Sequence, residues 1–327
     1  IGETLVDSPE REALPFKPID PPTIKMAFAV NNGPFAGQDG KKVTARQIWD
    51  RLEREGRANV SLQVATTDES TVFHVTGRGS MQIAVLVEQM RREGYEVLVS
   101  RPEVLRQQDA NGKWLEPVEK VFLEVPEESV GDVMEALANR KGNVTNMAPA
   151  GDRMTLEALA PTRGLIGFEV ELLNLTRGEG LMSHLFHEYA PDSGEIPGRR
   201  TGVLVSKETG AVTAYALEQL QERGRLLVVP GDKVYPGMIV GENARDNDLP
   251  VNPIRSKHLT NIRSQGDGKG IMLKAPLALS LERALEYIAP DEYVEATPST
   301  LRLRKKILDE NERKRVEKQL AAQMTSA

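Results

Sequence analysis

Residues 156–168 read Leu-Glu-Ala-Leu-Ala-Pro-Thr-Arg-Gly-Leu-Ile-Gly-Phe. An alternating segment, Met154 to Leu159, has the period of a half-buried strand and ends at Pro161. Thr162 stands where an N-cap belongs, and Arg163-Gly164 opens a helix. Leu165, Ile166, Val170, Leu172 and Leu173 give that helix an apolar body, and Gly178 and Gly180 stop it. A strand–turn–helix unit with an arginine beside a helix N-terminus is suited to binding phosphate. The plainer alternative is only that a helix starts there. Leu156, Leu159, Leu165, Ile166 and Val170 are expected to share the middle one of three cores.

The elements on either side repeat a pattern. Ile24–Val30 reads as a strand, and Asn31 to Lys42 as a long Gly-rich loop. Thr44 caps a helix carrying Ile48, Trp49 and Leu52 on one face. Two strands follow, around Val60 to Val64 and Val72 to Val75. A helix from Ser80 to Gly94 and a strand from Glu96 to Ser100 complete the set. The order β-α-β-β-α-β is that of a ferredoxin-like domain. It recurs from Val121 to Tyr189, after a hairpin tip at Asp109-Ala110-Asn111-Gly112-Lys113. Beyond Pro191 the composition changes. Gly202 to Ser206 and Ala211 to Ala216 read as a hairpin joined by Lys207-Glu208-Thr209-Gly210. Residues 217–223 read as a short helix, and 242–270 as a long, weakly periodic loop. The fold class is α+β: two ferredoxin-like βαββαβ sandwiches, at 23–106 and 107–191, then a β-rich mixed C-terminal domain at 192–327. The Pro-rich residues 1–22 read as a linker.

Forty-eight acidic and 42 basic side chains give the 327 residues a formal net charge of -6. That excludes a uniformly basic nucleic-acid binder and requires any such partner to meet local basic patches. No apolar run is long enough to span a bilayer, and no signal peptide is evident. The absence of cysteine excludes disulfides and thiolate metal sites and fits a reducing compartment. Ile1 is not a methionine, so a piece of a longer chain is expected.

Catalytic constellations are lacking. No GxxxxGK[ST] phosphate loop is present, and Asp267-Gly268-Lys269-Gly270 matches a DxxG pattern in spelling only. His184 and His187 lie three apart on a strand and so face opposite ways. The basic residues are more informative. Arg255, Lys257, Arg263 and Lys269 share one loop with His258 and Asn261, opposed only by Asp267. A cationic loop on an acidic protein suits a phosphate backbone. Its Gly, Ser and basic content predicts mobility in the free protein. Arg302, Arg304, Lys305 and Lys306 form a second cluster at a strand end, where Arg302 and Arg304 share a face and would line a backbone track. Aromatic residues are only 5%, which argues against base stacking on an RRM-like sheet.

Thr162-Arg163-Gly164-Leu165-Ile166-Gly167-Phe168 resembles the signature of the BipA/TypA family of bacterial translational GTPases, relatives of elongation factor G. The resemblance continues through Gly77-Arg78-Gly79, Met90-Arg91-Arg92-Glu93-Gly94, Asn247-Asp248-Leu249 and Leu259-Thr260-Asn261-Ile262-Arg263. It implies that the ferredoxin-like pair corresponds to the third and fifth domains of elongation factor G. It implies that residues 1–22 close a preceding β-barrel domain and that 192–327 is the domain peculiar to the family. It further implies a cytoplasmic, ribosome-associated monomer that takes part in large-subunit assembly and stress adaptation. The 70S ribosome, ribosomal RNA and A-site tRNA would be its partners, with residues 256–270 near the tRNA acceptor end. GTP and Mg would belong to an upstream catalytic domain, leaving this chain without cofactor or catalysis. RNA-contact candidates are Arg163, Arg255, Lys257, His258, Asn261, Arg263, Lys269, Arg302, Arg304, Lys305 and Lys306. Two alternatives differ in class. One is an amino-acid-sensing module of paired ferredoxin-like (ACT-type) domains, which needs a short Gly loop against its ligand. The other is an assembly protein without RNA contact.

Overall fold

The computed structural model describes residues 4–8, 10–12, 15, 21–196, 199, 201–256 and 272–325. They divide into two compact units. One comprises residues 1–30, 42–95 and 102–197; the other comprises 31–41, 96–101 and 198–327. Among the described residues no helix is long and apolar enough to cross a membrane.

The first βαββαβ run is β1 (Ile24–Val30), α1 (Ala45–Ala58), β2 (Gln63–Thr66), β3 (Val72–Gly77), α2 (Ser80–Arg92) and β4 (Val97–Val99). β1, β3 and β2 are antiparallel neighbours in that order. Alternation along β1 turns Met26 and Phe28 inward, and Ile48 and Leu52 of α1 and Ile83, Val87 and Met90 of α2 are buried as well. Thr44 and Gln47 form a capping box at the start of α1, as the Thr-x-x-Gln spacing allows.

Short strands β5 (Glu103–Val104) and β6 (Gln107–Gln108) precede the second run. That run is β7 (Trp114–Pro126), α3 (Val130–Asn139), β8 (Asn143–Ala150), β9 (Arg153–Pro161), α4 (Thr162–Leu165), α5 (Phe168–Leu175) and β10 (Leu181–Pro191). The sheet order is β10-β7-β9-β8, the ferredoxin-like arrangement. Val121, Leu123, Leu137, Leu156, Ala158, Leu165, Phe168 and Leu172 form its core. Leu159, Ile166 and Val170 are not among them. Residues an odd number apart on a strand face opposite ways, so Leu156 and Leu159 cannot share a core. Leu159 lies half-buried on the opposite face of the sheet, in register with Lys120 and Asn143.

The expected single helix after Pro161 is broken. Gly167, at φ +74°, adopts the left-handed region and divides α4 from α5. The carbonyls of Gly164 and Ile166 at the break accept from Arg140 Nη1, each at 2.8 Å. Gly164 permits this approach, since a Cβ there would lie 2.4 Å from the Arg140 carbonyl oxygen. Thr162 does not cap; its hydroxyl donates to the Pro117 carbonyl.

The second unit carries β11 (Val203–Ser206), β12 (Gly210–Ala211), α6 (Ala214–Leu220), β13 (Gly224–Leu226), β14 (Lys233–Val234), β15 (Met238–Asn243), β16 (Leu249–Val251), α7 (Leu281–Tyr287), β17 (Glu292–Ala296), β18 (Leu301–Lys305) and α8 (Glu310–Thr325). Its sheet runs β16-β11-β15-β18-β17-β4, with β13 also on β15. The hairpin expected at residues 202–216 does not form. β11 pairs with β15 and β16, whereas β12 pairs with β14. Thr213 caps α6 through the Ala216 amide, so Ala214 to Ala216 are helical and not extended.

Residues 31–41 complete this unit. Phe35 lies in its core with Leu204, Leu217, Val234, Tyr235 and Val240. The fully buried Glu96 carboxylate accepts from the Gly37, Asp39 and Gly40 amides at 2.8, 3.0 and 2.6 Å, and from Asn31 Nδ2 at 3.2 Å. Asp39 accepts from the Thr297 and Thr300 hydroxyls at 2.8 and 3.1 Å. Burial by itself would raise the Asp39 pKa; the Thr297, Ser299 and Thr300 hydroxyls and the nearby Arg302 charge bring it below the ordinary aspartate value.

Candidate nucleic-acid interface

β18 places Arg302 and Arg304 on one face, as their spacing requires, but that face is covered. Arg302 donates to Glu295 at 2.8 Å and to Asp39 at 3.3 Å, and its guanidinium lies 5.3 Å from the Phe35 ring centre. Arg304 is 1% exposed and donates to Asn32 Oδ1 at 2.9 Å and to the carbonyls of Lys305 and Lys306. Lys305, 2% exposed, holds Asp248, Asp291 and Glu292 at 2.6, 2.7 and 2.9 Å. Burial would depress the Lys305 pKa; the Glu292 charge, then Asp248 and Asp291, overcome this and hold it above the ordinary lysine value. Arg302 and Lys305 are therefore internal ion-pair residues and Arg304 a buried hydrogen-bond donor, and the backbone track is withdrawn. A charge run in sequence cannot show that buried carboxylates await it. Lys306, next along, is exposed, with its ammonium 5.0 Å from the Tyr293 ring centre.

Arg163 is likewise directed inward. Its guanidinium binds the buried Glu116 carboxylate, Asp192 at 2.8 Å and the Gly194 carbonyl. Glu116 also accepts from the Ser193 amide at 2.7 Å. The arginine ties the end of β10 to the start of α4, and its phosphate-binding role is withdrawn.

Arg255 is exposed. Lys257, His258, Asn261, Arg263 and Lys269 lie outside the described residues, as does the expectation that their loop is mobile. The structure adds cations that the sequence pattern does not single out. Arg223, Arg225, Arg245 and Lys274 are exposed and have no ion-pair partner among the described residues. Their backbone is held by a local scaffold. β13 pairs with β15, and the Arg223 carbonyl accepts from the Ala244 amide at 2.8 Å. Gln221 donates to the Met272 carbonyl and accepts from the Lys274 amide, both at 3.1 Å. In sequence these cations form no continuous run: Arg223 and Arg225 flank Gly224, and Arg245 and Lys274 stand well apart.

Residues 113–200 match the elongation factor G C-terminus family, and residues 201–310 match the TypA/BipA C-terminal domain family. Proteins described as large ribosomal subunit assembly factor BipA align with nearly the whole chain. That of Bacillus subtilis (strain 168) is 47% identical over 320 residues, 97% of this chain and 52% of its own length. The Haemophilus influenzae protein is 48% identical over 317 residues, 96% of this chain and 51% of its own. The Synechocystis sp. protein is 47% identical over 306 residues, 93% and 51%.

The chain belongs to the BipA/TypA family.

It spans about half the length of the curated relatives it matches. Arg223, Arg225, Arg255, Lys274 and Lys306 all fall in the region matching the BipA C-terminal domain. The Thr162–Phe168 motif falls in the region matching elongation factor G. Its described role is architectural: a helix break at Gly167, a close approach at Gly164 and an inward ion pair at Arg163.

Proposed function

We propose that this chain docks on the ribosome and serves large-subunit assembly, with its C-terminal unit supplying contacts to ribosomal RNA and to the acceptor end of an A-site tRNA. The observation that carries the reading is the 47–48% identity, over nearly the whole chain, to proteins described as large ribosomal subunit assembly factors. A ribosome-associated, cytoplasmic monomer with a role in stress adaptation belongs to the same proposal. GTP and Mg are assigned to residues outside this chain, which has no phosphate-loop motif. The charge pattern supplies the physical means. Exposed cations of the C-terminal unit, together with Lys257, Arg263 and Lys269, offer charge-assisted hydrogen bonds to phosphates.

The sensor alternative is disfavoured by the first strand–helix loop. A small-molecule site there would use the amides of Gly37, Asp39 and Gly40, and Glu96 already occupies them.

Ribosome co-sedimentation across a salt series tests the docking reading. Binding should weaken steeply as salt rises. Changing Lys257, Arg263 and Lys269 together to Glu should lower affinity and reduce the log–log salt slope by roughly one for each phosphate no longer neutralised. Equal affinity and slope for a folded triple variant would remove this loop from the interface. Failure of the parent chain to co-sediment at low salt would overturn docking itself.

A further inference from the structure

A cleft of about 500 Å³ opens in the second unit, between α6 and the segment following β16. It falls within the size range of small-ligand sites. Ala216, Leu220, Leu249, Pro250 and Val251 make its apolar floor, and Gln219, Asn252, Arg223 and Arg255 also line it. Glu222 also lines the cleft, so it is not a general polyanion trap.

The polar groups sit on fixed backbone. The Thr213 hydroxyl, which also caps α6, donates to the Arg255 carbonyl. The Thr213 amide donates to the Pro253 carbonyl at 3.1 Å. Arg223 is held on both sides, its amide donating to Leu220 and its carbonyl accepting from Ala244. Asn252 Oδ1 accepts from the Ile254 amide at 3.1 Å, which orients the side chain and leaves its NH2 group to donate elsewhere. Neither arginine has a carboxylate partner among the described residues.

We propose that this cleft is a single-nucleotide subsite for unpaired RNA. Arg223 and Arg255 grip one backbone phosphate, the base lies on the apolar floor, and Gln219 and Asn252 meet its polar edge. Two planar donors on fixed backbone suit a phosphate, which accepts forked guanidinium bonds. An apolar floor beside them suits a base and is useless to an inorganic anion. Sequence-specific contact with RNA is made mostly to unpaired nucleotides, whose bases can leave the stack. The subsite rests on the RNA-binding reading proposed for the C-terminal unit and gives it a location.

The test is fluorescence anisotropy of the full chain with a labelled single-stranded RNA of about ten nucleotides, repeated over a salt series. The arms are the parent, an Arg223→Glu/Arg255→Glu variant and an Arg223→Lys/Arg255→Lys variant, with circular dichroism to confirm folding. The glutamate variant should bind about tenfold more weakly or worse, with a salt slope lower by roughly 0.7 for each phosphate no longer neutralised. The lysine variant should keep the slope but lose part of the affinity, because an ammonium lacks the fork. Parent-like affinity and slope in a folded glutamate variant would overturn the assignment, whether or not co-sedimentation with ribosomes persists. Absence of saturable RNA binding by the parent at low salt would also overturn it. So would binding of free nucleoside monophosphate without binding of the oligonucleotide. Ribosome docking is read separately by co-sedimentation, so the two ideas can fail independently.

Discussion

The Phe35 ring meets the Tyr235 ring edge-on, with centroids 5.1 Å apart and planes at 87°. Tyr235 is fully buried and its hydroxyl donates to Glu295, which also accepts from Arg302. Phe35 thus sits at the junction of an apolar core and a buried ion network. It comes from a loop about 170 residues before the C-terminal stretch that provides the rest of that core. Edge-to-face aromatic pairs add about 0.5–1.5 kcal/mol beyond area burial.

Replacing Phe35 by Ala should destabilise the second unit by about 3–5 kcal/mol. Hydrogen exchange should show this as faster exchange at Val234 and Val240, which share the core with Phe35. Parent-like protection at both positions would mean that the loop merely rests on the core.

Glu96→Gln tests the loop's own anchor. The carboxylate accepts on both oxygens, Asn31 and Gly37 on one, Asp39 and Gly40 on the other. A glutamine must turn an NH2 group toward one pair of donors. Leaving buried donors unmet costs about 1–3 kcal/mol. The amides of Gly37, Asp39 and Gly40 should exchange faster, by nuclear magnetic resonance, than in the parent. No change in any of the three would sink the anchoring role.

Lys305 and Glu292 set a pH window. Burial would raise the Glu292 pKa, but Arg199, at 2.7 Å, and Lys305 outweigh it and bring it below the ordinary value of 4.5. A depressed carboxylate contributes stability that is complete above its unfolded pKa and lost as pH falls through the folded one. The raised Lys305 acts in the opposite sense: its contribution is complete below 10.5 and lost as pH climbs through its higher folded pKa. Stability from this pair should therefore be flat between about pH 5 and pH 10 and fall on either side. Lys305→Met, which removes the buried ammonium shared by Glu292, Asp248 and Asp291 and leaves Glu292 with Arg199 as its charged partner, should cost up to about 3 kcal/mol near neutral pH. Urea melts from pH 3 to pH 11 give both readings; an unaltered midpoint for Lys305→Met would show the network to be energetically neutral.

On the second ferredoxin-like sheet, Leu156→Ala should cost about 2–5 kcal/mol, since Leu156 is 1% exposed in the core. Leu159→Ala, on the other face and half-buried, should cost about 1 kcal/mol or less. Urea unfolding of the two variants decides between the faces. Equal destabilisation would mean that both sides of β9 are packed.

The sequence by itself determined the α+β class, both βαββαβ runs and most element ends. These follow from local rules that a chain carries residue by residue. Alternation set Met26 and Phe28 inward on β1, Thr44 and Gln47 spelled the capping box, and Asp109 to Lys113 spelled a turn in which Asp109 accepts from Asn111 and Lys113. Identity over nearly the whole chain brought the family with it. Tertiary structure alone decided which cations face water. Arg302, Arg304 and Lys305 read as a basic run, yet each meets partners that lie several to hundreds of residues away, Glu295, Asn32 and Asp248 among them. Arg255 reads as part of a cationic loop and Arg223 as an unremarkable single charge, until α6 and the segment after β16 bring the two to one cleft. The break at Gly167 was likewise settled at a distance, by Arg140 taking the carbonyls that an unbroken helix would have kept. The physical reason is the same in each case. Period and capping act over a few residues, whereas burial and ion pairing depend on what the rest of the chain places opposite.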